Sequence, residues 1–144
     1  MGSCNILGAF SSGGGNGGNA TVVEATTSST FSTSETDYVD VTGLALTKPN
    51  ITNGKCFGLA TFTNYNTTNG KKSAFALDDN GSEVSYGSNQ NVAADNTYLL
   101  ACCIVDTSDA DGNTLKVKMK VDGGTGYLYY SDTWSIPKLA VTAI

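Results

Sequence analysis

The chain has 144 residues, eight basic side chains, all of them lysine, and thirteen acidic ones; the net charge is −5, with no histidine and no arginine. That length fits one domain with a buried core. Lacking arginine, it lacks the side chain that reads guanine and clamps phosphate bidentately, so nucleic acid is not an expected partner. Lacking histidine, it also lacks the commonest general base and zinc ligand.

The first ten residues carry three candidate anchors, Ile6, Leu7 and Phe10, and no basic region ahead of a long apolar run, so they do not read as a secretory signal. Position 6 is Ile, which leaves the myristoylation pattern unmet. No stretch approaches transmembrane length, and no membrane partner is expected. Residues 11–19 are mostly Gly, Ser and Asn, and residues 20–28 are rich in Thr and Ser around Val22 and Val23. Residues 1–28 therefore read as an extended Gly/Ser/Thr-rich arm. Its partner-binding residues would be Ile6, Leu7, Phe10, Val22 and Val23, laid along another surface. Four Asn-x-Ser/Thr sites, at Asn19, Asn50, Asn66 and Asn80, are expected by chance in a chain this rich in those residues.

From residue 29 to 144 strand signals dominate. Tyr38 to Leu46 is β-favouring, with Gly43 as a bulge. Pro49-Asn50 and Asn53-Gly54 mark a turn. Cys56 to Phe62 alternates, with Cys56, Gly58, Ala60 and Phe62 on one face. Ser73 to Leu77 and Glu83 to Tyr86 flank Asp79-Asn80-Gly81, a tight hairpin turn. Tyr98 to Val105 is apolar on both faces, the mark of a strand covered on both sides. Leu115 to Val121 alternates strictly, with Lys116, Lys118 and Lys120 on the wet face. These two runs are expected to form one long hairpin. Because a small domain cannot cover both faces of Tyr98–Val105, a second copy is expected to do so. Tyr98, Leu100, Cys102, Ile104 and Tyr129 are then the expected oligomer interface. Tyr127 to Tyr130 and Lys138 to Ile144 complete eight runs and an all-β, antiparallel β-sandwich or jelly roll of seven or eight strands.

The chemistry-bearing clusters favour structure over catalysis. Asp106, Asp109 and Asp111 sit in a Gly/Asn-containing connection that a structural calcium could use, but position 107 is Thr and Met119 stands where a ligand Glu belongs. A solvated connection is the preferred reading, and no cofactor or metal is expected. The cysteines at positions 4, 56, 102 and 103 lack a basic neighbour of the histidine type; they read as small apolar residues, although a bridge from Cys56 to Cys102 or Cys103 stays open. Tyr127, Tyr129, Tyr130 and Trp134 suit a core or an interface better than a sugar platform. No enzymatic activity is expected.

The run Thr-Phe-Ser-Thr-Ser-Glu-Thr-Asp-Tyr-Val-Asp-Val-Thr-Gly-Leu-Ala-Leu-Thr at 30–47 resembles the opening strands of C1q/TNF-like jelly-roll heads in bacteriophage structural proteins. The strand at 56–66, the Leu-Asp-Asp-Asn-Gly turn at 77–81, the runs at 98–121 and the closing strand at 138–144 extend that resemblance over residues 30–144; Lys48-Pro49 departs from it. The resemblance implies a homotrimer packed by aromatic and aliphatic faces, and a non-enzymatic role in the virion. A phage capsid decoration (cement) protein on the capsid exterior is the expected function. Its arm would clamp neighbouring capsomers, with the major capsid protein or another virion protein as partner. The alternatives are a tail-fibre or spike head that binds host glycan, and a bacterial surface-filament subunit joined by strand insertion.

Overall fold

A computed structural model describes residues 22–92 and 99–144. The described residues form ten strands: β1 (Val22–Thr26), β2 (Phe31–Thr33), β3 (Val39–Thr47), β4 (Asn50–Asn66), β5 (Lys72–Asp79), β6 (Ser82–Gln90), β7 (Leu100–Asp111), β8 (Thr114–Val121), β9 (Gly126–Tyr129) and β10 (Lys138–Ala143). All pairings are antiparallel, and the strands lie in two sheets, which makes the β-sandwich that the alternating runs predict. The eight runs read from the sequence correspond to β3–β10. The two further strands, β1 and β2, come from the Thr/Ser-rich segment, where short strands carry little hydrophobic signal.

The 17-residue strand β4 is the spine of the first sheet. One of its edges pairs with β7; the other pairs end to end with β10 (residues 56–61) and β9 (residues 63–66). Strand β1 lies beside β10, and β2 beside β9. The second sheet runs β3-β8-β5-β6. Between the sheets lies a continuous core in which Leu44, Phe75, Leu77, Val117, Met119, Leu128 and Leu139 are fully buried. The rings of Phe62 and Phe75 meet across it with centroids 4.5 Å apart.

Of the expected turns, Asn80-Gly81 joins β5 to β6 as a two-residue hairpin; both residues have positive φ, 51° and 95°, as the favoured hairpin turn requires. Gly43, at φ 86°, sits in the register shift of β3, the expected bulge. Three expectations are corrected. First, Asn53-Gly54 is an irregularity inside β4 and not a turn, because β4 resumes its pairing with β7 at Lys55. Second, β7 and β8 are not a hairpin: β7 pairs with β4 in one sheet and β8 with β3 and β5 in the other. The connection at Gly112-Asn113 carries the chain across the sandwich, held by a hydrogen bond from Gly112 N to the Pro49 carbonyl and one from Lys48 N to the Asn113 carbonyl. Third, residues 22–26 of the expected arm are a sheet strand, with all five paired to β10, and Val23 and Ala25 pack against the core. Val23 is therefore not an arm contact. Ile6, Leu7 and Phe10 lie outside the described residues.

Candidate assembly face

The two outer faces of the sandwich differ in chemistry. The outer face of the second sheet is ionic. Along β8, Lys116 Nζ lies 2.8 Å from Asp40, and Lys118 Nζ lies 2.9 Å from Asp78 and 3.1 Å from Glu83. Lys120 Nζ stands 4.4 Å over the ring of Tyr38. Every lysine of the stripe thus has a partner within the chain, and the face is a charged, solvated surface.

The outer face of the first sheet is apolar at its centre. Strand pairing sets Leu59 of β4 between Val105 of β7 and Ala140 of β10. Val22, opposite Thr142 on β1, extends the patch to the edge. Towards the other end Tyr65 stacks on Tyr127, with centroids 4.6 Å apart and planes 9° from parallel, and Tyr129 meets the same ring at 6.4 Å. The connection between β9 and β10 folds over this face. Ser131 and Ser135 exchange backbone hydrogen bonds of 2.7 and 3.1 Å, and Ser135 Oγ lies 2.6 Å from Thr63 Oγ1. That small loop projects Trp134, 85% exposed, beside the half-exposed Ile136. Between them and Leu59, Thr63, Ala101 and Cys103 lies an open groove of about 540 Å³. Charges stand at the rim, in the pairs Lys138–Glu24 and Lys55–Asp109.

The expected interface residues divide. Tyr129 belongs to this face. Leu100, Cys102 and Ile104 have the opposite parity: Ile104 is 2% exposed in the core, Cys102 packs against that core, and burial raises the Cys102 thiol to about 11. The residues β7 turns outward are Ala101, Cys103 and Val105, the last 49% exposed. A shift of one residue exchanges the two faces of a strand, and an all-apolar run carries no phase to fix it. Tyr98 lies outside the described residues.

The carboxylates considered for calcium do not converge. Alternation along β7 puts Asp106 and Asp109 on opposite sides. Asp109 pairs with Lys55, and Asp111 with Lys48 at 3.0 Å. Among the described residues no group of three or more potential ligands is placed to hold a metal ion.

A second cluster escapes the sequence reading altogether. Where the β3–β4, β5–β6 and β7–β8 connections meet, the side chain of Lys48 is fully buried. Its Nζ lies 2.8 Å from Asp79 Oδ2, 3.0 Å from Asp111 Oδ1 and 3.4 Å from Ser108 Oγ. Burial opposes the ammonium, but hydrogen bonds to Asp79 and Asp111, with their charges, outweigh it and raise Lys48 above its ordinary value. Asp111 is held low, first by the Asn113 backbone N–H and then by Lys48. Neighbouring Cys56 is a buried thiol pushed up by burial. The sequence signal was the break at Lys48-Pro49 in an otherwise alternating pattern.

No protein-family model and no curated protein matches the sequence. The fold is nonetheless similar to solved structures. A chain from infectious bursal disease virus, Gt strain, aligns with a TM-score of 0.54 at 12% identity over 86% of this chain and 33% of its own. Dimeric latent PorU from Porphyromonas gingivalis gives 0.52 at 8% identity over 86% of this chain and 12% of its own. The Eiger TNF of S. frugiperda gives 0.50 at 10% identity over 85% and 92%. The chain thus spans about a third of the viral protein's length and about an eighth of PorU's. At these identities the likeness is one of fold: a jelly-roll sandwich of the kind found in a virus-particle structure and in a TNF.

Proposed function

We propose that this chain is a non-enzymatic structural subunit of a virus particle, a phage capsid decoration protein on the capsid exterior. Copies of it associate as a homotrimer through the outer face of the first sheet. The observation that carries the reading is the contrast between the two outer faces. One is laced with internal ion pairs around Tyr38 and the exposed Tyr86; the other exposes Val105 and Val22 around the nearly buried Leu59 and Tyr65, with the ion pairs Lys138–Glu24 and Lys55–Asp109 at its margins, the layout of a protein–protein interface. Fold similarity to a virus-particle chain and to a TNF supports the reading. The segment before β1 would supply the link to neighbouring capsomers, and three such segments on one trimer would raise the effective affinity.

Sedimentation analysis of the purified chain tests this. The wild type should run as a trimer, and Val105→Lys, which buries a charge at the centre of the contact, should run as a folded monomer. A monomeric wild type at micromolar concentration overturns the reading. A second function, a fibre or spike head that binds glycan, is favoured by one observation: Trp134 stands exposed beside an open groove, as a sugar-stacking ring does. Trp134→Ala separates the two, since it abolishes glycan retention in that case and leaves particle binding intact in the first.

A further inference from the structure

We propose that Lys48 and Asp79 condense into an intramolecular amide, an isopeptide cross-link between the β3–β4 connection and the end of β5, with Asp111 as the proton carrier. Lys48 is the one buried lysine among the described residues. Its Nζ is already in contact with both carboxylates, at 2.8 Å and 3.0 Å, which is the proximity that turns a slow bimolecular condensation into an intramolecular one. The two carboxylates are not equivalent. Asp79 is the more enclosed, with a side chain 17% exposed against 38% for Asp111, and its Oδ1 is buried without a hydrogen-bond partner. Asp111 is fastened by the Asn113 backbone N–H at 3.0 Å and by Asn113 Nδ2 at 2.8 Å, which keeps it ionised. So Asp79 is the acid to be attacked, and Asp111 is the base.

The resting pair is an ammonium beside a carboxylate. The ion pair is the favoured form, so the reaction passes through a minor state in which one proton has moved from Lys48 Nζ to Asp79 along their 2.8 Å contact, leaving a neutral amine and a neutral acid. The Nζ lone pair attacks Asp79 Cγ, and a C–N bond forms. Asp111 takes a proton from the nitrogen and returns it to the departing hydroxyl. The C–O bond breaks, and water leaves through the half-exposed side of Asp111. One ammonium and one carboxylate become one amide and one water; Asp111 ends as it began, and no oxidant or cofactor is consumed. The product removes a buried ion pair and covalently closes residues 48–79 into a loop, tying the start of the β3–β4 crossover to the end of β5.

Intact-mass measurement on the full chain, denatured after incubation at neutral pH, reads the reaction directly. The wild type should weigh less than its sequence by one water, and peptide mapping should find a branched peptide joining Lys48 to Asp79. Asp111→Asn should fold with the same circular dichroism and keep the full mass. Asp79→Asn should lose ammonia in place of water. A wild type at full sequence mass overturns the proposal. So does a water loss that maps to Asp111-Gly112 or Asp122-Gly123, or that persists in Lys48→Met, because a succinimide would account for it.

Discussion

Asp78 shows how far a single residue's role lies from its local sequence. It sits in Asp78-Asp79-Asn80-Gly81, which reads as turn chemistry, and Asn80-Gly81 does form the turn. Asp78 itself is fully buried, accepts the Gly81 N–H at 2.9 Å and pairs with Lys118 Nζ at 2.9 Å. Burial alone would raise its pKa; the Lys118 hydrogen bond and the Gly81 N–H outweigh it and hold Asp78 below 3.8. Lys118 is raised above 10.5 by Asp78 and then Glu83. A depressed carboxylate contributes stability above its unfolded value and loses it as pH falls through the folded one. A raised lysine contributes fully below its unfolded value and loses it as pH rises through the folded one. Thermal melts should therefore be flat between the carboxylate range and the lysine range and fall on both sides. Asp78→Asn keeps an acceptor for Gly81 but drops the charge. It should cost about 1–3 kcal/mol near pH 7, and the gap to wild type should close as pH falls below 3.8. The lysine stripe was legible from its alternation. Its partners were not, because Asp40, Asp78 and Glu83 are 76, 40 and 35 residues from the lysines they meet, and no local pattern encodes that distance.

At the scale of elements, alternation located the strands and left their pairing open. Asn80-Gly81 and Gly112-Asn113 have the same turn-forming composition, yet the first closes a hairpin and the second crosses between sheets. The difference lies in what receives the chain afterwards: β8 finds β3 and β5, whose inner residues match its Leu115, Val117, Met119 and Val121 face. In β8 the lysines fix which face is wet. In β7 the run Leu-Ala-Cys-Cys-Ile-Val has no polar residue to set the phase, and pairing with β4 sets it instead, with Ile104 opposite Ala60 and Val105 opposite Leu59. Neighbouring substitutions in β7 should then behave in opposite ways. Ile104→Ala should cost about 2–5 kcal/mol in chemical denaturation of the folded chain, as a core truncation does. Val105→Ala should leave the denaturation midpoint of the monomeric form near wild type and weaken self-association, read by sedimentation.

The whole molecule is a sandwich with one ionic outer face, one outer face that is apolar at its centre, and edges that are blunted by different means. The free edge of β7 is masked by β6 side chains, since Ser85 Oγ donates to the Val105 carbonyl at 2.6 Å and Asn89 Nδ2 to the Ala101 carbonyl at 3.1 Å. The edge of β10 is covered by β1, so the sandwich includes residues from Val22 onward and does not start at residue 29. Two truncations separate the parts. Removing residues 1–26 deletes β1, uncovers the β10 backbone and exposes Leu139 and Val141 from one side; this form should melt lower and aggregate. Removing residues 1–21 spares every β1 pairing, so it should keep the wild-type melting temperature and the same sedimenting species. The missing 21 residues span at most about 70 Å when fully extended, which bounds the reach of the proposed contact with a neighbouring capsomer. In co-sedimentation with undecorated phage shells, the 22–144 head should stay in the supernatant while the full chain pellets. Equal pelleting of both forms would move the attachment from the leading segment to the sandwich itself, and Trp134 and its groove would be the first place to look for it.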